Sequence, residues 1–451
     1  MLYQADEGRA RIALTGDTLI TRRLSLFTEP AFLALRDLLL SADVRFTNAE
    51  VLFHTYENSP GLFAGTYMQC DPALIQDLQW LGINLVSSAN NHAYDYGEQG
   101  VLTNLRHLEQ AGMPSAGTGS HLSSANAPTY VETPNGRVAL VAGASPVANA
   151  TASRAGKQRH DFGGRPGTNI IDFFTDWVVD QGAFDALKRI SEHLGWAESV
   201  RRSAESGYIR EFSDTDSLVH FLDQTTAEAR PARFVSGNAF GQRTFLETSD
   251  LERNVRWVHD ASRMADFVLF SMHCHEGGAS VDIPADHIRE LAHAVIDAGA
   301  DVFVGHGPHQ DRGIEIFQSK PIFYGLGNFI VQNDTVGFQP EESYSIQGLD
   351  AEATPADFYD ARSRLGTRGQ VAEPVRWESF VAVVAFNNHQ LNEISLYPID
   401  LGFGRPRYRQ GRPLLASGPT ADRVLTRLQA LSQPFGTVID INGDVGTVRV
   451  D

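Results

Sequence analysis

Metal chemistry is the first reading of five short groups: Gly16-Asp17, Asn48-Ala49-Glu50, Asn90-Asn91-His92, His273-Cys274-His275-Glu276 and Gly305-His306-Gly307-Pro308-His309. Carboxylate, amide and imidazole donors together suit borderline divalent cations such as zinc, manganese or iron. A pair of such ions polarises a substrate oxygen and lowers the pKa of bound water. Taken singly the groups say little. An Asp after a strand commonly caps the next helix, and a lone His on an apolar strand is commonly a core residue. Their joint order carries the reading, because each follows a short apolar run and parallel strands put their C-terminal ends at one sheet edge.

Those runs are expected as strands at Ala10–Leu14, Val44–Thr47, Asn84–Ser88 and Val138–Ala142, and again at Phe267–Met272, Val302–Gly305 and Ile322–Gly325. Apolar residues at helical spacing predict helices over Pro30–Ser41, Pro72–Leu81, Gly97–Ala111 and Ala285–Ala298. The alternation is that of an α/β fold with a largely parallel or mixed sheet covered by helices. It divides the chain into a first half (1–145), an insertion or cap (146–264), a second half (265–400) with a lid loop at about 331–374, and a C-terminal extension (401–451). In the last two parts, Phe380–Asn387 and Glu393–Pro398 read as an antiparallel pair suited to a second sheet. A helix at Ala421–Leu431 and a hairpin around Asn442-Gly443-Asp444 follow. The tryptophans Trp177, Trp196, Trp257 and Trp377 are expected in the core.

The 451 residues are 42% hydrophobic and 20% charged, which suits a folded chain with a large core. A net charge of −18 argues against nucleic acid and anionic membrane surfaces as partners. Two cysteines, Cys70 and Cys274, make no disulfide framework, and Cys274 is expected buried. The basic residues are three lysines and 34 arginines, a balance that favours high-GC coding. With no apolar stretch near the N-terminus and no long uncharged apolar window, the expectation is a cytoplasmic protein without a membrane anchor.

The five groups, extended by Ala89, Asp95, Gly97 and the run Lys320-Pro321-Ile322-Phe323-Tyr324-Gly325-Leu326-Gly327-Asn328-Phe329, resemble the capsule-biosynthesis CapA family over about residues 10–145 and 255–400. The family fold is similar to calcineurin-like metallophosphatases: two facing mixed β-sheets flanked by helices. The resemblance implies that Asp17, Glu50, Asn91, His273, His306 and His309 hold divalent metal, two ions whose identity among manganese, zinc, iron, magnesium and calcium stays open. It implies that His92 is an acid or hydrogen-bond donor toward substrate, with Asp95 orienting it. Asn328, flanked by glycine, reads as a structural left-handed residue. Two departures stand out: Cys274-His275-Glu276 replaces the Trp-Gly that many members carry, and Gly307 replaces a second histidine.

Three activities follow from that resemblance. The leading one is an epimerase without an organic cofactor. A soluble family member in lasso-peptide biosynthesis inverts the α-carbon of a precursor peptide's C-terminal residue, and His92 and His275 are candidate proton carriers here. The expected partner is then a peptide. The alternatives are a two-metal hydrolase of phosphoester or peptide-type amide bonds, and a non-catalytic accessory of capsule synthesis.

Overall fold

The computed structural model describes residues 8–61, 65–146, 153–207, 218–221 and 232–450. The N-terminal stretch read above as lacking an apolar leader lies mostly outside these residues, as does much of the polar stretch before residue 232.

Two mixed sheets face each other. In the first, β1 (Ala10–Leu19), β2 (Val44–Ala49) and β3 (Leu85–Ser87) are parallel neighbours. In the second, β4 (Gly136–Ala144), β5 (Phe267–His273), β6 (Val302–His306) and β7 (Lys320–Phe323) run parallel in that order. The chain then returns to the first sheet. β8 (Asn328–Val331) pairs parallel with the outer half of β1, while β9 (Glu378–Asn387) pairs antiparallel with its inner half and leads into β10 (Gln390–Asp400). The antiparallel pair expected for a second sheet therefore belongs to the sheet of β1. Its alternate residues Phe380, Ala382, Val384 and Phe386 are apolar and buried, so docking on β1 places them in the core between the sheets. The closing hairpin forms as expected, with Asn442 opposite Val445.

Period-two alternation explains the layers. Ile12 and Leu14 of β1, Val138 and Leu140 of β4, Phe267 and Leu269 of β5, and Val302 and Val304 of β6 share the core between the sheets. Their outward neighbours meet helices. Ala13 and Val86 pack with α1 (Pro30–Leu40) and α2 (Leu74–Leu81). Val268, Phe270 and Met272 pack with α3 (Thr248–Ala261) and α4 (Asp286–Asp297). α4 shows the cause at residue level: Ile288, Leu291, Ala292, Val295 and Ile296 recur at helical spacing and are all buried.

Between the halves, four strands form a separate sheet in the order Leu218–Phe221, Ala232–Ser236, Phe173–Val179, Gly241–Leu246. The stretch after β8 is not an irregular loop. It folds into α5 (Glu341–Ile346), α6 (Pro355–Ser363) and short 3₁₀ turns, anchored by the buried Phe358 and Tyr359. Of the tryptophans expected in the core only Trp377 is buried. Trp177, on the separate sheet, is 45% exposed. Among the described residues no helix is long and apolar enough to cross a membrane.

Candidate metal centre

The C-terminal ends of β1, β2, β5 and β6 meet where the two sheets face each other, and a bulge brings Asp17 there. Leu14 stands opposite Phe46 but Asp17 opposite Asn48, so β1 spends three residues on two of β2 and Asp17 turns onto the inner face. Gly16 makes room for this. A Cβ at that position would lie 1.9 Å from the Gly327 carbonyl oxygen. His306 continues the inward alternation of β6 one step beyond Val304, and His273 that of β5 two steps beyond Leu269, past Ser271; both are buried.

These three residues form a first group. His306 Nδ1 lies 3.6 Å and His273 Nδ1 3.9 Å from Asp17 Oδ1, with the two ring nitrogens 3.0 Å apart. Asn48 donates to Asp17 Oδ1 at 2.8 Å, the Gly307 amide donates to Asp17 Oδ2 at 3.0 Å, and Ser271 holds the far nitrogen of His306 at 2.6 Å. Burial alone would raise the Asp17 carboxyl, but the hydrogen bond and charge of His309, with His273 and His306, carry it well below the usual range. Burial also lowers both imidazoles, His306 to about 4, so the group is an ionised carboxylate beside two neutral rings.

A second group, Glu50, His275 and His309, adjoins the first. Glu50 Oε1 is 3.7 Å from His309 Nε2, 3.9 Å from His92 Nε2 and 4.0 Å from His273 Nε2. All three separations exceed a hydrogen bond, and those to His309 and His273 match two ligands each about 2.0–2.2 Å from a shared ion. Both Glu50 oxygens are buried without a hydrogen-bond partner, as is Asn91 Oδ1. Such orphaned acceptors beside clustered imidazoles fit a divalent cation. Burial first, then the charges of Asp17 and Asp95, hold the Glu50 carboxyl well above its ordinary value. His309 sits at φ +59, and its Nδ1 meets Asn328 Oδ1 at 2.9 Å, which leaves Nε2 toward Glu50. The left-handed residue expected at Asn328 is instead Gly327, at φ +65; Asn328 opens β8 because its side chain is committed to His309 and the Arg376 carbonyl.

His275 lies with this second group, its Nε2 3.0 Å from His273 Nε2, and burial together with the neighbouring His309 lowers it to about 3. His92 Nδ1 is 2.7 Å from Asp95 Oδ2, an i, i+3 pair in the turn before the helix Gly97–Gln110, and Asp95 is itself fixed by the Met68 amide at 2.7 Å. Cys274 alternates away and is buried, as expected; its thiol donates to Glu276 at 3.0 Å. At Gly307 the backbone has φ +114 and a Cβ would meet the Cys274 amide at 2.9 Å, so this conformation of the loop has no room for the histidine that the family resemblance led one to expect.

Sequence reading did not single out Asn48, Asn90 or Ser271 as positioning residues. Asn90, not Asn91, ties the blocks together, donating to the Ala49 carbonyl at 2.9 Å and accepting from the His92 amide at 3.1 Å. The doubled asparagine before His92 was the available signal. A cavity of about 470 Å³ opens over the second group, lined by Asn91, His92, His275 and His309 and by residues of 333–371, including Arg362 and Arg368. No described residue of 146–264 lines it.

Known proteins share this arrangement of sequence. The uncharacterized protein y4sH of Sinorhizobium fredii is 36% identical over 96% of this chain and 92% of its own length. The PGA biosynthesis protein CapA of Bacillus subtilis is 40% identical over a shorter stretch, 18% of this chain and 21% of that one. A probable polyglutamine synthesis accessory protein of Mycobacterium tuberculosis is 24% identical over 66% of this chain and 58% of its own. The profile of the bacterial capsule synthesis protein PGA_cap matches residues 11–333, a span that holds both candidate ligand groups and the His92–Asp95 pair, and the chain belongs to that family.

Proposed function

We propose that this chain is a metal-dependent epimerase that inverts the α-carbon of a peptide's C-terminal residue. The observation that supports it best is that two imidazoles, His92 and His275, line one cavity beside the two ligand groups. In this reading Asp17, His273 and His306 hold one ion, and Glu50, Asn91 and His309 the other. Bound there, the ions supply Lewis acidity at the substrate carboxylate, which makes the neighbouring α-proton more acidic. His275, held neutral by burial, is in the form that accepts that proton. His92, its Nδ1 fixed by Asp95, presents Nε2 and returns a proton to the opposite face. Each imidazole then recovers its starting state by exchange with solvent.

Hydrolysis of a phosphoester or amide is the second reading, and one observation favours it: His275 also falls within the group of Glu50 and His309. There it would complete the second ligand set, and His92 would protonate a leaving group. The readings part at one residue. Under epimerisation His275→Gln keeps both metals and loses turnover; under hydrolysis it loses one metal equivalent. The direct test is mass and chiral analysis of a peptide with an L-residue at its C-terminus, incubated in D₂O with manganese and with an EDTA control. The expected result is a gain of about one mass unit with inversion and no cleavage, abolished by EDTA. Cleavage without exchange would move the protein to the hydrolases.

A further inference from the structure

The cavity wall built by 333–371 carries two cations, Arg362 and Arg368, that are not held in a hydrogen bond or ion pair among the described residues. Arg362, in the last turn of α6, and Arg368, just beyond it, line the same cavity as His92, His275 and His309. Among the described residues neither guanidinium has a hydrogen bond or an ion pair, whereas their neighbours are tied down: Arg376 to Glu373 at 2.6 Å and Arg407 to Asp360 at 2.5 Å. Asp334 is the one carboxylate among the described lining residues, and burial pushes it up against the pull of Arg407 and Arg362. In a chain of net charge −18, two guanidinium groups against the single carboxylate Asp334 leave this cavity wall with an excess of positive charge that concentrates anions there. Planar guanidinium forks match carboxylate and phosphate oxygens. Both arginines also lie beyond residue 333, where the family match ends, so this wall can differ between members that share the metal centre.

Resting on the reading of that centre as catalytic, we propose that Arg362 and Arg368 form a second anion subsite, and that the substrate is an acidic peptide with a carboxylate besides the one at the reacting centre. The ligand of the subsite is an oxyanion; a phosphoryl group shares that chemistry and is separated by the test.

The experiment is calorimetry on the full, metal-loaded chain with three probes, the dipeptides Gly-Glu and Gly-Gln and inorganic phosphate, against the wild type and the double variant Arg362→Gln/Arg368→Gln. Gly-Glu is expected to bind at least about tenfold more tightly than Gly-Gln, and the double variant to close that gap with metal content and melting temperature unchanged. Phosphate binding more tightly than Gly-Glu, and only to the wild type, keeps the subsite and gives it to a phosphoryl group. Equal binding of the two dipeptides, absence of binding by either, or a gap that survives in the variant overturns it. A repeat in EDTA separates the two readings. Failure of the metal centre shows as binding that metal does not alter, while the gap between the dipeptides still reports on the arginines.

Discussion

The two candidate ligand groups are built by different means. Asp17, His273 and His306 end strands, are fully buried, and are braced by Asn48, Ser271 and the Gly307 amide. Glu50, His275 and His309 follow strands on loops; Glu50 is buried, while His275 and His309 are only partly buried and line the cavity. The strand-end group has its carboxylate ionised and its rings neutral, the protonation state that a metal requires. The loop group keeps its carboxyl protonated by burial and neighbouring charge until something displaces the proton. One group is therefore preorganised by the sheets, and the other is assembled on loops beside the cavity.

Removing the base of the strand-end group should have the largest effect. In Asp17→Ala, which removes the one anionic donor of that group, both metals are expected to be lost by elemental analysis. Turnover should fall by more than the about 10–100-fold that outer partners of a metal typically contribute. Retention of full metal content would dissolve the distinction between the groups. Glu50→Gln should be narrower: one metal equivalent lost, the other kept. The proton count sharpens this further. At about pH 6, above the ordinary carboxylate range, metal added to the wild type should release protons from Glu50, and Glu50→Gln should lower that release. The sign follows from the raised folded value: the metal-free folded state holds a proton that the ion must expel, whereas Asp17 holds none. Calorimetry in buffers of different ionisation enthalpy reads it.

His92→Ala should leave both metals in place and lower turnover by about 10²–10⁴, the usual range for a lost acid or base. Metal loss equal to that in Asp17→Ala would make His92 a ligand instead. Asp95→Asn should show a smaller drop, with an altered pH profile and unchanged metal content, because it alters only what fixes the His92 ring.

How much of this was legible follows the same division. The strand ends could be read from apolar runs, and so His273 and His306 could be placed, since period-two alternation carries the inward face past the core residues Leu269 and Val304. Asp17 was legible as a residue but not as a geometry. Strict alternation from Ile12 and Leu14 would have turned it outward, and the bulge that reverses this depends on the Gly327 carbonyl crowding Gly16, over 300 residues away in sequence. The i, i+3 spacing of His92 and Asp95 was local and readable. The cavity wall was not, because α5 and α6 have no strong apolar periodicity and are held by a few aromatics, so the stretch looked like a loop. The place of β9 in the first sheet was hidden for a related reason: an apolar run shows that it is a buried strand, not which strand it joins.

The smallest expected effect tests the loop group's dependence on a partner. His309 occupies a backbone region that non-glycine residues adopt at some cost, so its ring direction needs an external constraint, which Asn328 supplies at 2.9 Å. His273 needs no such residue, since the strand itself aims it. Asn328→Ala should therefore weaken metal binding at the cavity-side position by about 10–100-fold and leave the strand-end position unchanged. A stability loss of about 1 kcal/mol is also expected, because the partly buried Arg376 carbonyl loses its donor. Metal titration of the variant, with melting followed in parallel, separates the two consequences. A uniform loss of affinity at both positions would show that the two groups share one framework, and the contrast between strand-built and loop-built ligands would then be one of burial alone.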